Sequence, residues 1–93
     1  MGTFGQDFVY WAYVYGTDDH KNMIENFYQS NFQDKDTINK LLYDYIEEKF
    51  PKFDWGNDDK SIPKYVYEEV TYWIKKFMGF LEKKKLNGEE ENN

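Results

Sequence analysis

With one histidine, two serines and no cysteine, a nucleophile-base-acid constellation is hard to build in this chain. His20 stands in the run Asp18-Asp19-His20-Lys21, which reads as the exposed first turn of a helix. Ser61, two residues before Pro63, reads as a helix cap. Carboxylates come in adjacent pairs: Asp18/Asp19, Glu47/Glu48, Asp58/Asp59 and Glu68/Glu69. Neighbours on a helix point ~100° apart, so such pairs do not converge as acid and base. Asp54, Asn57, Asp58 and Asp59 offer oxygens for Ca²⁺, but Gly56 comes too early and no Glu closes the ring as an EF-hand loop requires. A glycine-rich phosphate cradle is also missing. These residues point to no catalytic residue, no metal, no cofactor and no enzyme.

Two features remain for binding. Lys75, Lys76, Lys83, Lys84 and Lys85 form one basic cluster. It reads first as charge complementing the end of a last helix, and second as a weak phosphate contact. Trp55 lies in a polar loop beside Gly56. An indole there either folds back onto the protein or serves a partner as a hot spot.

Composition narrows the partner. The net charge is −6, all twelve basic residues are lysine, and arginine is absent. Arginine is the usual bidentate reader of guanine and phosphate, so the balance argues against nucleic acid. Aromatic residues make up 22% of the chain, enough for a few large rings to fill a small core. Ninety-three residues make a single domain. No apolar run approaches the ~18 residues of a membrane span, and no secretory leader pattern precedes the domain. With no cysteine, the expected setting is soluble and cytoplasmic.

The elements that must position these residues all read as helices. Thr3 caps the first, with Gln6 in capping-box position; Phe4, Phe8, Trp11, Ala12 and Tyr15 share one face and Gly16 closes it. The stretch Phe8 to Gly16 holds no charged side chain, and its β-formers would equally suit a strand. A lone strand among helices would leave its backbone unpaired, so it is assigned as a central helix. Phe8, Trp11, Ala12 and Tyr15 are expected in the core, and Tyr10, Tyr13 and Val14 then face either a second neighbour or solvent. Asp18 or Asp19 caps a second helix with Met23, Ile24, Phe27, Tyr28 and Phe32 inward. Asp36 or Thr37 caps a third, with Ile38, Leu41, Leu42, Tyr45, Ile46 and Phe50 on one stripe and Pro51 at its end. After the loop 52–61 a long last helix carries Val66, Val70, Trp73, Ile74, Phe77 and Leu81. Leu41, Leu42, Ile46, Val70, Trp73, Ile74 and Phe77 are expected to be buried together. The expectation is an all-α, compact bundle of about four helices over 1–86, with a frayed, disordered acidic tail over 87–93.

The opening "TFGQDFV", the "DDHKNMIENFYQSNF" helix, "LLYDYIEEK" and the spacing of "VYEEVTYWIKKF" resemble the YozE-like family of small bacterial proteins over roughly residues 3–77. The chain departs from that family in having Gln33 after Phe32 and Val66-Tyr67 in the last helix. The resemblance implies a SAM-like helical fold, a non-enzymatic domain and a bacterial or phage origin.

The function these observations favour is a small acidic protein-interaction module, monomeric or weakly self-associating, with an unidentified protein partner. One alternative is a phage or mobile-element inhibitor that presents carboxylates as nucleic-acid mimics, an anti-defence role. Another is a weak nucleic-acid binder using the lysines. The expected contact residues are Trp55 with Asp54, Asp58 and Asp59, and, failing these, Tyr10, Tyr13 and Tyr67.

Overall fold

The computed structural model describes residues 3–56 and 61–91, the last six by their backbone alone. Its four α-helices are α1 (Phe4–Val9), α2 (Asp18–Gln29), α3 (Lys35–Lys49) and α4 (Lys64–Glu91), and a π-helical turn, Tyr10–Val14, continues α1. No strand occurs among the described residues. The all-α bundle is as expected.

Local chemistry explains the boundaries. Thr3 caps α1, its hydroxyl accepting from the Gln6 amide at 3.3 Å. The cap of α2 is Thr17, which accepts from the His20 amide at 3.2 Å; Asp18 and Asp19, expected as caps, occupy the first turn, where they favour the helix dipole. The cap of α3 is Asp34, two residues before the expected Asp36. Its carboxylate accepts from the Thr37 amide at 3.3 Å and the Thr37 hydroxyl at 2.6 Å.

The end of α2 follows the Schellman pattern. Asn31 and Phe32 both take left-handed φ, at 57° and 64°. The Phe32 amide donates to Phe27 O and the Asn31 amide to Tyr28 O, at 2.9 and 3.0 Å. The Phe27 and Phe32 rings meet edge-on at 5.4 Å, supplying the apolar contact that usually accompanies this cap.

The π-turn corrects the reading of the first helix. Tyr15 N–H donates to Tyr10 O at 3.0 Å, an i→i+5 bond in place of i→i+4. The wider turn sets the following residues back by about one position, ~100°. Tyr15, expected in the core, is therefore 83% exposed. Phe8 and Ala12 are fully buried as expected, Val9 joins them, and Trp11 is half-buried. Gly16 does not take the left-handed φ of a C′ glycine. Its space is closed instead, since a Cβ there would meet Ala12 O at 2.2 Å.

A single core gathers Phe8, Ile24, Phe27, Ile38, Leu41, Leu42, Val70 and Ile74. Helix α4 packs most extensively along α1, while α2 packs on α3. The expected seam between the third and last helices is not the main contact of α4. Those two helices meet through side chains: Tyr67 Oη donates to Asn39 Oδ1, and Lys35 lies 5.7 Å from the Tyr67 ring centroid. Leu41, Leu42, Ile46, Val70 and Ile74 are buried, but Trp73 and Phe77 are only half-buried because α1 covers one side of each. Phe50, expected on the α3 stripe, caps that helix and is largely exposed. The backbone of α4 remains helical through Glu91, past the boundary expected at Asn87. At 1.5 Å per residue, 28 residues span ~42 Å, so α4 sets the 56 Å long axis against widths of 26 and 23 Å.

Two aromatic grooves as candidate binding surfaces

Ser30 and His20 are packed into the structure. The Ser30 hydroxyl donates to Phe27 O at 2.7 Å and accepts from the Gln33 and Asp34 amides, so it ties down the end of α2. The His20 ring lies 4.7 Å from Trp11. That placement departs from the exposed first-turn residue expected, for its Nδ1 is buried and has no hydrogen-bond partner. The Trp11 indole also packs on Tyr45 and donates to the Glu48 carboxylate, which joins the π-turn to α3. Among the described residues no three His, Asp or Glu side chains gather where they could hold a metal ion.

What the fold does build is aromatic relief on the surface. The first groove, about 280 Å³, runs between α1 and α4 and is lined by Gln6, Val9, Tyr10, Trp73, Phe77 and Phe80, with Lys76 on its rim. Gly5 makes the close approach of the two helices possible, since a Cβ there would stand 2.6 Å from Trp73 Cδ1. The π-turn supplies the other wall. Tyr10 and Tyr13 both set their rings edge-on against Phe77, at 6.2 and 5.4 Å. Tyr13 is fixed further by donating to Glu25 at 2.8 Å. Burial, then the Glu25 hydrogen bond and charge, push its hydroxyl pKa up. Tyr10 remains 42% exposed and Phe80 60% exposed. Lys76 lies 5.2 Å from the Trp73 centroid and 5.7 Å from that of Tyr72, within cation–π range.

The second groove, about 340 Å³, lies at the start of α4 and is lined by Phe4, Ile46, Phe50, Phe53, Trp55 and Val66. Trp55 is half-buried and rests against Tyr43 and Phe53 at 5.4 and 5.0 Å. Phe53 and Tyr65 open to solvent at its edge. Asp54 is exposed, and its carboxylate accepts from the Gly56 amide at 2.9 Å, turning the loop locally. Asp58 and Asp59 lie outside the described residues. The structure thus separates the sequence candidates. Trp55 lines the groove at the start of α4 with Asp54 beside it in the loop, Tyr10 lines the first groove while Tyr13 only packs against its Phe77, and Tyr67 lines a separate depression with Lys35, Lys64 and Glu68. The sequence reading missed Phe80 because it lies off the apolar stripe of α4. The signal available was its position between Lys76 and Lys83, a large ring on a charged face.

Comparison with known families, with curated proteins and with solved structures returns no match for this chain. Among the described residues no helix is long and apolar enough to cross a membrane.

Proposed function

We propose that the chain is a non-enzymatic protein-interaction module that receives apolar side chains of a partner in the groove between α1 and α4. The carrying observation is that Tyr10 on the π-turn and Phe80 on α4 stand open to solvent above the half-buried rings of Trp73 and Phe77. Large rings held on rigid elements bind with little loss of side-chain freedom, and they are the residue types that dominate interface energetics. A π-turn at the wall adds support, since such turns concentrate at functional sites. The resemblance to the YozE-like family implies a non-enzymatic domain and supports the same reading. The Trp55 groove is a second surface of the same kind, favoured by the open rings of Phe53 and Tyr65 at its edge.

The test is capture of a partner from nuclease-treated extract by wild type, by Tyr10→Ser with Phe80→Ser, and by Trp55→Ala. Loss of capture in the first variant, with an unchanged melting temperature, supports the α1–α4 groove. Loss only with Trp55→Ala moves the site to the second groove. Capture that disappears on nuclease treatment of the wild type would refute a protein partner.

A further inference from the structure

The α1–α4 groove does not end at Phe80. Lys76, Phe80, Lys83 and Lys84 fall at i, i+4, i+7 and i+8, one continuous face of α4. Lys76, Lys83 and Lys84 are all exposed, and among the described residues none has a carboxylate within ion-pair distance. Glu82 is turned aside to accept from the Tyr28 hydroxyl at 3.3 Å. Helix-dipole compensation does not account for these lysines. The helix continues to Glu91 with no basic residue in its last turn, and the dipole's influence fades beyond that turn. A chain of net charge −6 therefore carries, next to its aromatic groove, a local patch of exposed positive charge.

Resting on the reading of this groove as a docking site, we propose that its occupant is an acidic amphipathic helix of a partner protein. Apolar residues at i, i+3 and i+7 of that helix enter between Tyr10, Phe77 and Phe80, and its carboxylates reach Lys76, Lys83 and Lys84. The shape favours a helix over a bilayer. Trp73 and Phe77 are sunk half-buried behind the rim, where a flat lipid surface would not reach them. The packing also disfavours nucleic acid, because Lys76 and Tyr72 already lie against the Trp73 ring and remove it as a stacking platform. The groove is smaller than the ~300–1,000 Å³ usual for small-ligand pockets, which suits a few side chains.

The experiment uses the full chain and labelled helical peptides of about four turns, read by fluorescence anisotropy at ~150 mM salt. One peptide carries leucine at i, i+3 and i+7 with glutamate elsewhere. A second replaces glutamate by lysine, and a third replaces leucine by serine. The Glu–Leu peptide should bind about tenfold or more tightly than the Lys–Leu peptide, and the Glu–Ser peptide should not bind. The triple variant Lys76→Glu, Lys83→Glu, Lys84→Glu should reverse the charge preference, and Phe80→Ala should weaken binding of the Glu–Leu peptide. All four side chains are exposed, so folding is not at issue. Equal or tighter binding of the Lys–Leu peptide overturns the acidic partner while leaving the groove as a docking site. If neither leucine peptide binds, both readings fall. Flotation with anionic phosphatidylserine vesicles, abolished by the triple variant, would replace the peptide by a membrane and refute the proposal.

Discussion

Replacing Gly5 by alanine separates what composition says from what packing says. Gly5 is the second residue of α1, and alanine in a helix is favoured over glycine by ~0.8–1.0 kcal/mol. On propensity alone the change stabilises. The packing gives the opposite sign. The new methyl would stand 2.6 Å from Trp73 Cδ1, and 3.0 Å from both Glu69 Cγ and the Glu69 carbonyl oxygen. The glutamate carbon can move, but the carbonyl belongs to the backbone of α4 and the indole is wedged against Tyr72. Overpacking of this kind costs about 1–3 kcal/mol. Subtracting the propensity gain leaves a net loss of up to roughly 2 kcal/mol, at about 4–8 °C of Tm per kcal/mol for a domain of this size. Gly79 is the internal control. It lies within α4 with nothing inside 4 Å of its Cβ position, so Gly79→Ala should stabilise by up to ~1 kcal/mol. Thermal melts followed by circular dichroism would measure both. A rise in Tm for Gly5→Ala equal to that for Gly79→Ala would refute the α1–α4 contact, and with it the groove.

Tyr15→Ala should change stability by less than about 0.5 kcal/mol, because the ring is 83% exposed; a loss of ~3–5 kcal/mol in chemical denaturation would mean that the helix runs through without a π-turn. Trp55→Ala should cost about 1.5–2.5 kcal/mol, roughly half the loss for a fully buried ring, since Trp55 is half-buried on Tyr43. An unchanged Tm would put the indole wholly at the service of a partner. Alkaline pH should unfold the domain early. Burial comes first among the causes that raise the hydroxyl pKa of Tyr13, Tyr28, Tyr45 and Tyr67. A raised folded-state value leaves the stability intact below the unfolded pKa of ~10 and removes it as pH climbs through the folded value. Melts between about pH 9 and 11.5 should show the decline, and Tyr13→Phe with Tyr45→Phe should flatten it.

Helix number, the α2 and α3 faces and the N-cap at Thr3 were legible because each is a local rule acting on a few residues. Ile38, Leu41, Leu42, Tyr45 and Ile46 keep a spacing that only a buried helical face explains, and all are buried. Caps were read one or two residues off at α2 and α3, since Thr17 and Asp34 compete with neighbours of nearly equal propensity. The π-turn was not legible. Nothing in "YWAYV" forbids an i→i+4 bond, and the contact that accompanies the wider turn, Tyr10 and Tyr13 both against Phe77 of α4, is a tertiary one that the local sequence does not show.

The same distinction governs the candidate surfaces. An apolar stripe tells which face of a helix is covered but not by which neighbour. Val70 and Ile74 were read correctly as core, yet Trp73 and Phe77 on the same stripe form a groove wall, because α1 rather than α3 runs alongside them. Trp55 drew notice in sequence as an aromatic residue in a polar loop, whereas Phe80 sat unremarked in a helix with lysines around it. In the fold their positions nearly exchange. Trp55 rests partly on the core cluster, and Phe80 projects from the rim with 60% of its surface open. Burying that ring against a partner removes apolar area from water at ~25 cal/mol per Å², with no need to dislodge any core contact first. On the proposed docking, Phe80 is therefore the stronger anchor of the two, and the lysines around it would select an acidic partner.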